Sequence, residues 1–188
     1  MQSRKFILEG PIEITPKRFG DARGYFMETF NAARMNEIGV AEKEWIQDNQ
    51  SLSAAAFTLR GMHFQLPPFA QAKIVRVIRG KIWDAVVDIR PLSKTFGQWV
   101  GLELSAEAGN QLYVPTGFAH GFLTLEPEVE IAYKVSQYYA PHHDRSLNWS
   151  DPSVGITWPL PPDQVPILSA KDEAAPSLNH LRAEIWPS

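Results

Sequence analysis

Between Lys73 and Val135 the chain is built almost entirely from short runs of β-branched and aromatic residues, and no other feature narrows its fold as much. The runs Lys73 to Arg79, Lys81 to Arg90, Trp99 to Leu104, Gln111 to Val114 and Val129 to Val135 each have the composition of a strand. Gly80, Pro91, Gly109-Asn110 and Pro115 punctuate them. Short strands separated by turns bury their apolar faces by stacking two sheets or by closing one sheet on itself, so an all-β sandwich or barrel is expected. The clearest helical signal is the short stretch Asn31 to Ile38, which Asn31 can cap and Gly39 can end. The proline-rich segment from about residue 150 to 188 is expected to form loop and short helix packed on the strands. At 188 residues the chain has enough material for one core but little for two, so residues 1–188 are expected to form a single domain.

The chain has no cysteine, which excludes disulfides, thiolate metal ligands and a cysteine nucleophile. Any chemistry must rest on His, Asp, Glu, Lys, Tyr and Arg. The formal charge of -3 is spread in mixed signs with no basic run or acidic tail, which argues against a nucleic-acid or membrane-surface partner. Near the N-terminus the apolar stretch Phe6 to Leu8 is too short for a signal-peptide core or a membrane span, so a cytoplasmic location is expected.

Two segments carry histidines in places that matter. If Leu59 to Gln65 is extended, His63 and Gln65 share one face, and Arg60 points the other way unless Gly61 marks a bulge. A lone histidine in a strand is commonly structural, so His63 needs partners to be more than that. The segment Val114 to Phe122 has the Pro-x-Gly-x-x-His spacing of the second cupin motif, whose turn would deliver His120, Phe118 and Phe122 into a barrel interior. Metal-binding cupins want His-x-His and a following glutamate. This chain has His63-x-Gln65 and no matching acid, so a three-ligand metal site is not assembled.

Strand alternation places other side chains. Tyr133 falls in phase with Val129, Ile131 and Val135, which turns its ring toward the core; a buried tyrosine taken alone more commonly does no more than satisfy a hydrogen bond. Lys73 shares a face with Val75 and Val77, although a strand-end lysine can also simply reach solvent. Asp84 and Asp88 share the face opposite Trp83, Ala85, Val87 and Ile89, so either they stand on an outer face or they orient interior histidines, the latter being the reading for Asp84 only. Phe19 to Glu28 reads as a turn followed by an aromatic strand, and Gln47 to Asn49 and Ser169 to Asp172 read as polar loops.

Taken in order from about Pro11 to Pro176, these segments resemble the dTDP-4-dehydrorhamnose 3,5-epimerase family of cupin-like sugar-nucleotide epimerases. The motifs carrying the likeness include Gly20 to Gly24, Gln47 to Asn49, Leu59 to Gln65, Gln71 to Lys73, Val87 to Arg90, Thr95 to Gly97, Pro115 to Phe122, Tyr133, Tyr138-Tyr139, Trp149 to Pro152 and Ser169 to Asp172. It departs only slightly, with Met62 where leucine is usual and Lys94 where proline often stands. The resemblance implies a cupin-like β jelly-roll barrel with short peripheral helices, no cofactor, and a homodimer that shares its nucleotide sites through exchanged N-terminal strands. It also implies roles: His63 as general base with Asp172 as its carboxylate partner, Tyr133 as acid on the opposite face of the sugar, and Lys73 stabilising the developing oxyanion. His120, Arg60 and Lys171 are implied around the pocket, Arg23 at the phosphates, and Phe26, Glu28, Gln47, Asn49 and Tyr138 around the thymidine of a dTDP-sugar.

The implied chemistry suits these groups. A C4 ketone acidifies the protons at C3 and C5. An imidazole whose ordinary pKa is about 6.5 is a fitting base, and a carboxylate on its other nitrogen fixes the tautomer and favours the imidazolium. A 3-epimerase-only or ketoisomerase enzyme would use the same base, and the presence of Tyr133 favours action at both carbons. A metal-dependent cupin oxygenase and a non-catalytic sugar-nucleotide binder are the remaining readings.

Overall fold

The structure is a computed structural model that describes residues 1–185; the last three positions of the segment 150–188 lie outside the described residues. In chain order the elements are β1 (Gln2–Lys5), β2 (Ile12–Thr15), β3 (Arg18–Asp21), β4 (Gly24–Met27), α1 (Ala32–Glu37), β5 (Gln47–Ser53), β6 (Leu59–Gln65) and β7 (Lys73–Arg79). They continue with β8 (Lys81–Asp88), β9 (Trp99–Ser105), β10 (Gln111–Val114), β11 (Phe118–Thr124), β12 (Val129–Val135), β13 (Asp144–Ser146), α2 (Ala170–Glu173) and α3 (Leu178–Ile185).

Two antiparallel sheets face each other in the jelly-roll manner. One runs β1-β2-β10-β7-β12-β5 and the other β13-β6-β11-β8-β9, while β3 and β4 form a separate hairpin. Alternation decides what each face buries. Val75, Val77, Leu112, Val114, Val129 and Ile131 of the larger sheet meet Ile82, Val86, Leu102, Leu104, Phe118 and Phe122 of the smaller one in the space between them. The reverse face of the smaller sheet offers Met62, Phe64, Ala85, Val87, Ile89 and Ala119, and these are covered by Leu147, Leu178 and Leu181 with Val154, Ile156 and Trp158. This covering explains why β8 carries apolar residues on both faces, Ile82 and Val86 on one and Ala85 and Val87 on the other: it is buried on both sides. Among the described residues no helix is long and apolar enough to cross a membrane.

The expected strands at Lys73, Gln111 and Val129 match the observed ones end to end, and the expected helix is α1, with Asn31 accepting from the Arg34 amide. Two readings need correction. Gln47 to Asn49 is no loop but the start of β5, which pairs with β12 along its whole length from Gln47↔Val135 to Ser53↔Val129. Its polar composition conceals a strand because ladder hydrogen bonds to a neighbour outweigh weak intrinsic preference. Ser169 to Asp172 likewise is ordered: the Ser169 hydroxyl accepts from the Asp172 amide at 3.1 Å and caps α2.

Candidate active site

A cavity of about 510 Å³ opens between the two sheets, within the range of small-molecule sites. The larger sheet contributes Ser51, Lys73, Ile131 and Tyr133 to its walls. The smaller sheet contributes Arg60, His63, Gln65, His120, Phe122 and Asp144, and Ser169 and Asp172 come from the start of α2. Of the residues singled out in the sequence, His63, Asp172, Tyr133, Lys73, Arg60 and His120 are thus gathered in one place.

A local irregularity in β6 does much of the gathering. His63 pairs with His120 and Arg60 with Phe122, so Gly61 and Met62 together face the single residue Gly121. This is a β-bulge, and it lets two residues three apart in sequence reach the same cavity, where a regular strand would turn them to opposite sides. Gly61 adopts φ +133°, and a Cβ there would lie 2.5 Å from the Gly121 Cα. The bulge also frees a backbone donor, for the Gly61 amide hydrogen-bonds the Asp172 carboxylate.

His63 Nε2 lies 2.5 Å from Asp172 Oδ1, across 109 residues of sequence. The imidazole is about one-third exposed and the carboxylate is buried (32% and 3%), so the ring meets the cavity while its partner is shielded from water. Burial works to raise the Asp172 pKa, but hydrogen bonds from His63, Ser169 and Gly61 outweigh it and hold the carboxyl below its ordinary value. Deeper in the same wall, His120 Nε2 lies 2.9 and 3.0 Å from the two oxygens of Asp84, which is fully buried. The alternation that made Asp84 the carboxylate to orient a histidine therefore holds. Asp88 instead binds Arg90, Ser93 and Thr95.

Across the cavity the Lys73 ammonium donates to the His63 carbonyl at 3.3 Å. Burial pulls its pKa down to about 8, against the opposing charges of Asp144 and Asp84. Tyr133 is raised above its ordinary value, chiefly by burial and further by Asp144, while Arg60 acts the other way. A phenol is protonated at neutral pH at its ordinary pKa of about 10, and the shift works in the same direction.

The other singled-out residues lie apart from this cluster. Arg23 and Phe26 are exposed on the β3–β4 hairpin, where Arg23 pairs with Asp21 at 2.5 Å. Glu28 follows the hairpin and pairs with Arg34 at 3.2 Å. Gln47 and Asn49 share the side of β5 and β12 that carries Tyr133, joined by a 2.7 Å bond from Gln47 Nε2 to Asn49 Oδ1, but they fall outside the cavity's lining. The Tyr138 ring is exposed, and Lys171 sits at the rim, paired with Asp144. Asp144 itself was not anticipated: it reaches the wall because β13 pairs with β6 through Asp144↔Gln65, a long-range pairing that no local pattern announces. Among the described residues no group of three or more His, Cys, Asp or Glu side chains is arranged to hold a metal ion.

The family model for dTDP-4-dehydrorhamnose 3,5-epimerase matches residues 5–180. A dTDP-4-dehydrorhamnose 3,5-epimerase of Sinorhizobium fredii is 52% identical over 168 residues, spanning 89% of this chain and 85% of that protein. Among solved structures, the dTDP-6-deoxy-D-glucose-3,5-epimerase of Legionella pneumophila in complex with dTDP-4-keto-L-rhamnose is 43% identical. It superposes with a TM-score of 0.92 over 99% of this chain and 97% of that one. The rmlC epimerase of Mycobacterium tuberculosis is 37% identical, with a TM-score of 0.94 over 100% and 94%.

Proposed function

The chain belongs to the dTDP-4-dehydrorhamnose 3,5-epimerase family, and on that premise we propose that its cavity epimerises C3 and C5 of dTDP-4-dehydro-6-deoxy-D-glucose, giving dTDP-4-dehydro-L-rhamnose. The observation that carries the proposal is the His63–Asp172 pair at 2.5 Å on one wall of a cavity whose other wall presents Tyr133. Inversion next to a ketone needs a base on one face of the ring and an acid on the other, and the two sheets supply one each. His63 takes the α proton, with Asp172 stabilising the imidazolium that forms. Tyr133, still carrying its proton, returns one from the far side. Lys73 holds the negative charge that gathers on the C4 oxygen, and in a site shielded from water that interaction is stronger than in bulk solvent.

The nucleotide half of the substrate requires more than one chain. Gln47 and Asn49 share the Tyr133 side of β5 and β12, the Tyr138 carbonyl accepts from Gln65 of the cavity wall and Lys171 pairs with Asp144 of that wall, whereas Arg23, Phe26 and Glu28 belong to or follow a hairpin that does not line the cavity. In our reading the enzyme is a cytoplasmic homodimer in which Arg23, Phe26 and Glu28 of the partner subunit complete the dTDP site.

The test is to incubate the protein with the substrate in D2O and follow deuterium at C3 and C5 separately by NMR, for the wild type and for Tyr133→Phe. The wild type should exchange both positions. The variant should fold, retain exchange at C3 and lose C5 inversion by about a hundred- to ten-thousand-fold, the usual scale of general acid–base catalysis. If Tyr133 serves only as a buried hydrogen-bonding group, the substitution would cost about 1 kcal/mol of stability and leave the two rates equal.

A further inference from the structure

We propose that Arg18 is a positioning residue for the nucleotide half of the substrate: it ties the β3–β4 hairpin to the turn between β9 and β10, and so sets the direction in which Arg23 and Phe26 are presented to a second copy of the chain. The proposal rests on the reading that this hairpin completes the dTDP site of the partner subunit, and it adds the residue that makes the hairpin a defined surface.

The hairpin needs such a tie. Its strands have four residues each and join neither of the facing sheets, and a two-stranded ribbon by itself is marginal in water. Phe19, Tyr25 and Phe26 are exposed, and Arg23 at the turn bonds Asp21 of the same hairpin. Among the described residues, the side-chain hydrogen bonds that leave the hairpin are both made by Arg18 at its base, where Nη1 donates to the Glu107 carbonyl and Nη2 to the Ala106 carbonyl. The guanidinium also stands over the Tyr25 ring, 4.6 Å from its centroid, so it clasps β4 while it bonds the body of the protein. A second tie, from Gln111 Nε2 to the Thr29 carbonyl at 3.0 Å, falls beyond the end of β4.

The anchoring turn is held in its own right. The Ser105 carbonyl accepts from the Gly109 amide at 2.9 Å and the Ser105 hydroxyl from the Ala108 amide at 3.0 Å. The Asn110 side chain donates to the Glu103 carbonyl at 2.9 Å and to Glu13 at 2.8 Å. Gly109 leaves the guanidinium its place, for a Cβ there would lie 2.8 Å from Nη2, 3.1 Å from Cζ and 3.2 Å from Nε. A planar fork on two successive carbonyls fixes an orientation as well as a distance, which a single contact cannot do.

A hairpin free to swing is competent to bind for only a fraction of the time, and the apparent dissociation constant rises by the inverse of that fraction. The complex that does form is unchanged, so the chemical step is not slowed. Loss of Arg18 therefore raises KM and the dTDP dissociation constant while sparing kcat.

The experiment measures dTDP binding by titration calorimetry, and kcat and KM by the exchange assay, for Arg18→Met, Gly109→Ala, Arg23→Ala and the double variant Arg18→Met with Arg23→Ala. Arg18→Met should weaken dTDP binding about tenfold, as a fall of the competent fraction to about a tenth requires, and raise KM alike with kcat near wild type. Gly109→Ala, whose Cβ displaces the guanidinium, should shift both constants in the same direction. In the double variant the losses should fall short of additive, because a hairpin already out of place has less to lose when Arg23 goes. A merely structural role would lower the melting temperature of Arg18→Met and leave dTDP affinity at the wild-type value, and that outcome overturns the proposal. Additive losses, or a fall in kcat at unchanged KM, overturn it too. Should Arg18→Met not fold, Gly109→Ala decides by the same measure, and wild-type dTDP affinity in that folded variant sinks the proposal. If Arg23→Ala alone leaves dTDP affinity unchanged, it is the reading of the hairpin as part of the dTDP site that falls.

Discussion

Lys73 illustrates how burial sets the working range of a single side chain. Its ammonium is costly to keep charged between the sheets, so its pKa falls to about 8 in place of the usual 10.5. The charged form, which the proposed mechanism uses to hold the oxyanion, therefore predominates below about pH 8, is half-populated there and is lost above it. For stability the sign is opposite: the folded chain holds this proton less tightly than the unfolded one, so the cost of burying the charge is fully present below pH 8. That cost is relieved as the pH rises toward 10.5. Activity should accordingly decline through about pH 8 while the contribution of Lys73 to stability improves. Measuring kcat/KM against pH checks this, with Lys73→Arg as the control, because a guanidinium stays charged across the range and should abolish that limb even if its bulk lowers the maximum. A limb that persists unmoved in a folded Lys73→Arg protein would assign it to another group. The inward aim of Tyr133 is legible from alternation, because it falls in phase with Val129, Ile131 and Val135; that of Lys73 is not, because a lysine at a strand end in phase with Val75 and Val77 can equally reach solvent. That His63 meets Asp172 was not legible in that way, since no periodicity spans 109 residues; only the family likeness joined them.

At the level of elements, the Gly61 bulge is the part of the fold most tightly tied to the site. It turns Arg60 and His63 to one side and gives Asp172 a backbone donor. Gly61→Ala would combine a positive φ with a Cβ pressed to 2.5 Å from Gly121 Cα, where the obstacle is backbone and cannot rotate away. Backbone strain and overpacking of this kind cost about 1–3 kcal/mol each, so the melting temperature should fall by roughly 5–20 °C. Exchange at both carbons should drop as well, because the His63–Asp172 geometry shifts. A calorimetric scan beside the exchange assay decides it: an unchanged melting temperature with full activity would mean that β6 tolerates a regular register. The sequence marked this position through Gly61 but could not say whether a bulge was there, because that depends on what β11 places opposite, namely Gly121. The same limit hid β5 and β13, whose polar residues become strands only because β12 and β6 lie alongside to pair with them. By contrast β7, β10 and β12 carry enough β-branched and aromatic residues to be read without a partner.

For the molecule as a whole, the separation of Arg23, Phe26 and Glu28 from the cavity makes a testable claim about assembly. A two-fold dimer with shared sites would draw His63 from one chain and Arg23 from the other. Arg23→Ala and His63→Ala proteins, each poorly active by itself, should then regain activity when unfolded together and refolded as a mixture, since the hybrid contains one site with both residues intact. Refolding each alone supplies the baseline. A mixture no more active than the two baselines, shown by mass to contain hybrid dimers, would place Arg23 with the His63 of its own chain or outside the site.

Asp172, which completes the base pair with His63, comes from the N-terminal turn of α2, far along the chain from the strands that form the cavity walls. During synthesis the ribosome releases β5 to β13 well before it releases residue 172, so both sheets can pair while the tunnel still holds that carboxylate. The strands that wall the cavity are thus specified before the carboxylate that closes it, and the His63–Asp172 contact is the last part of the proposed site to become possible.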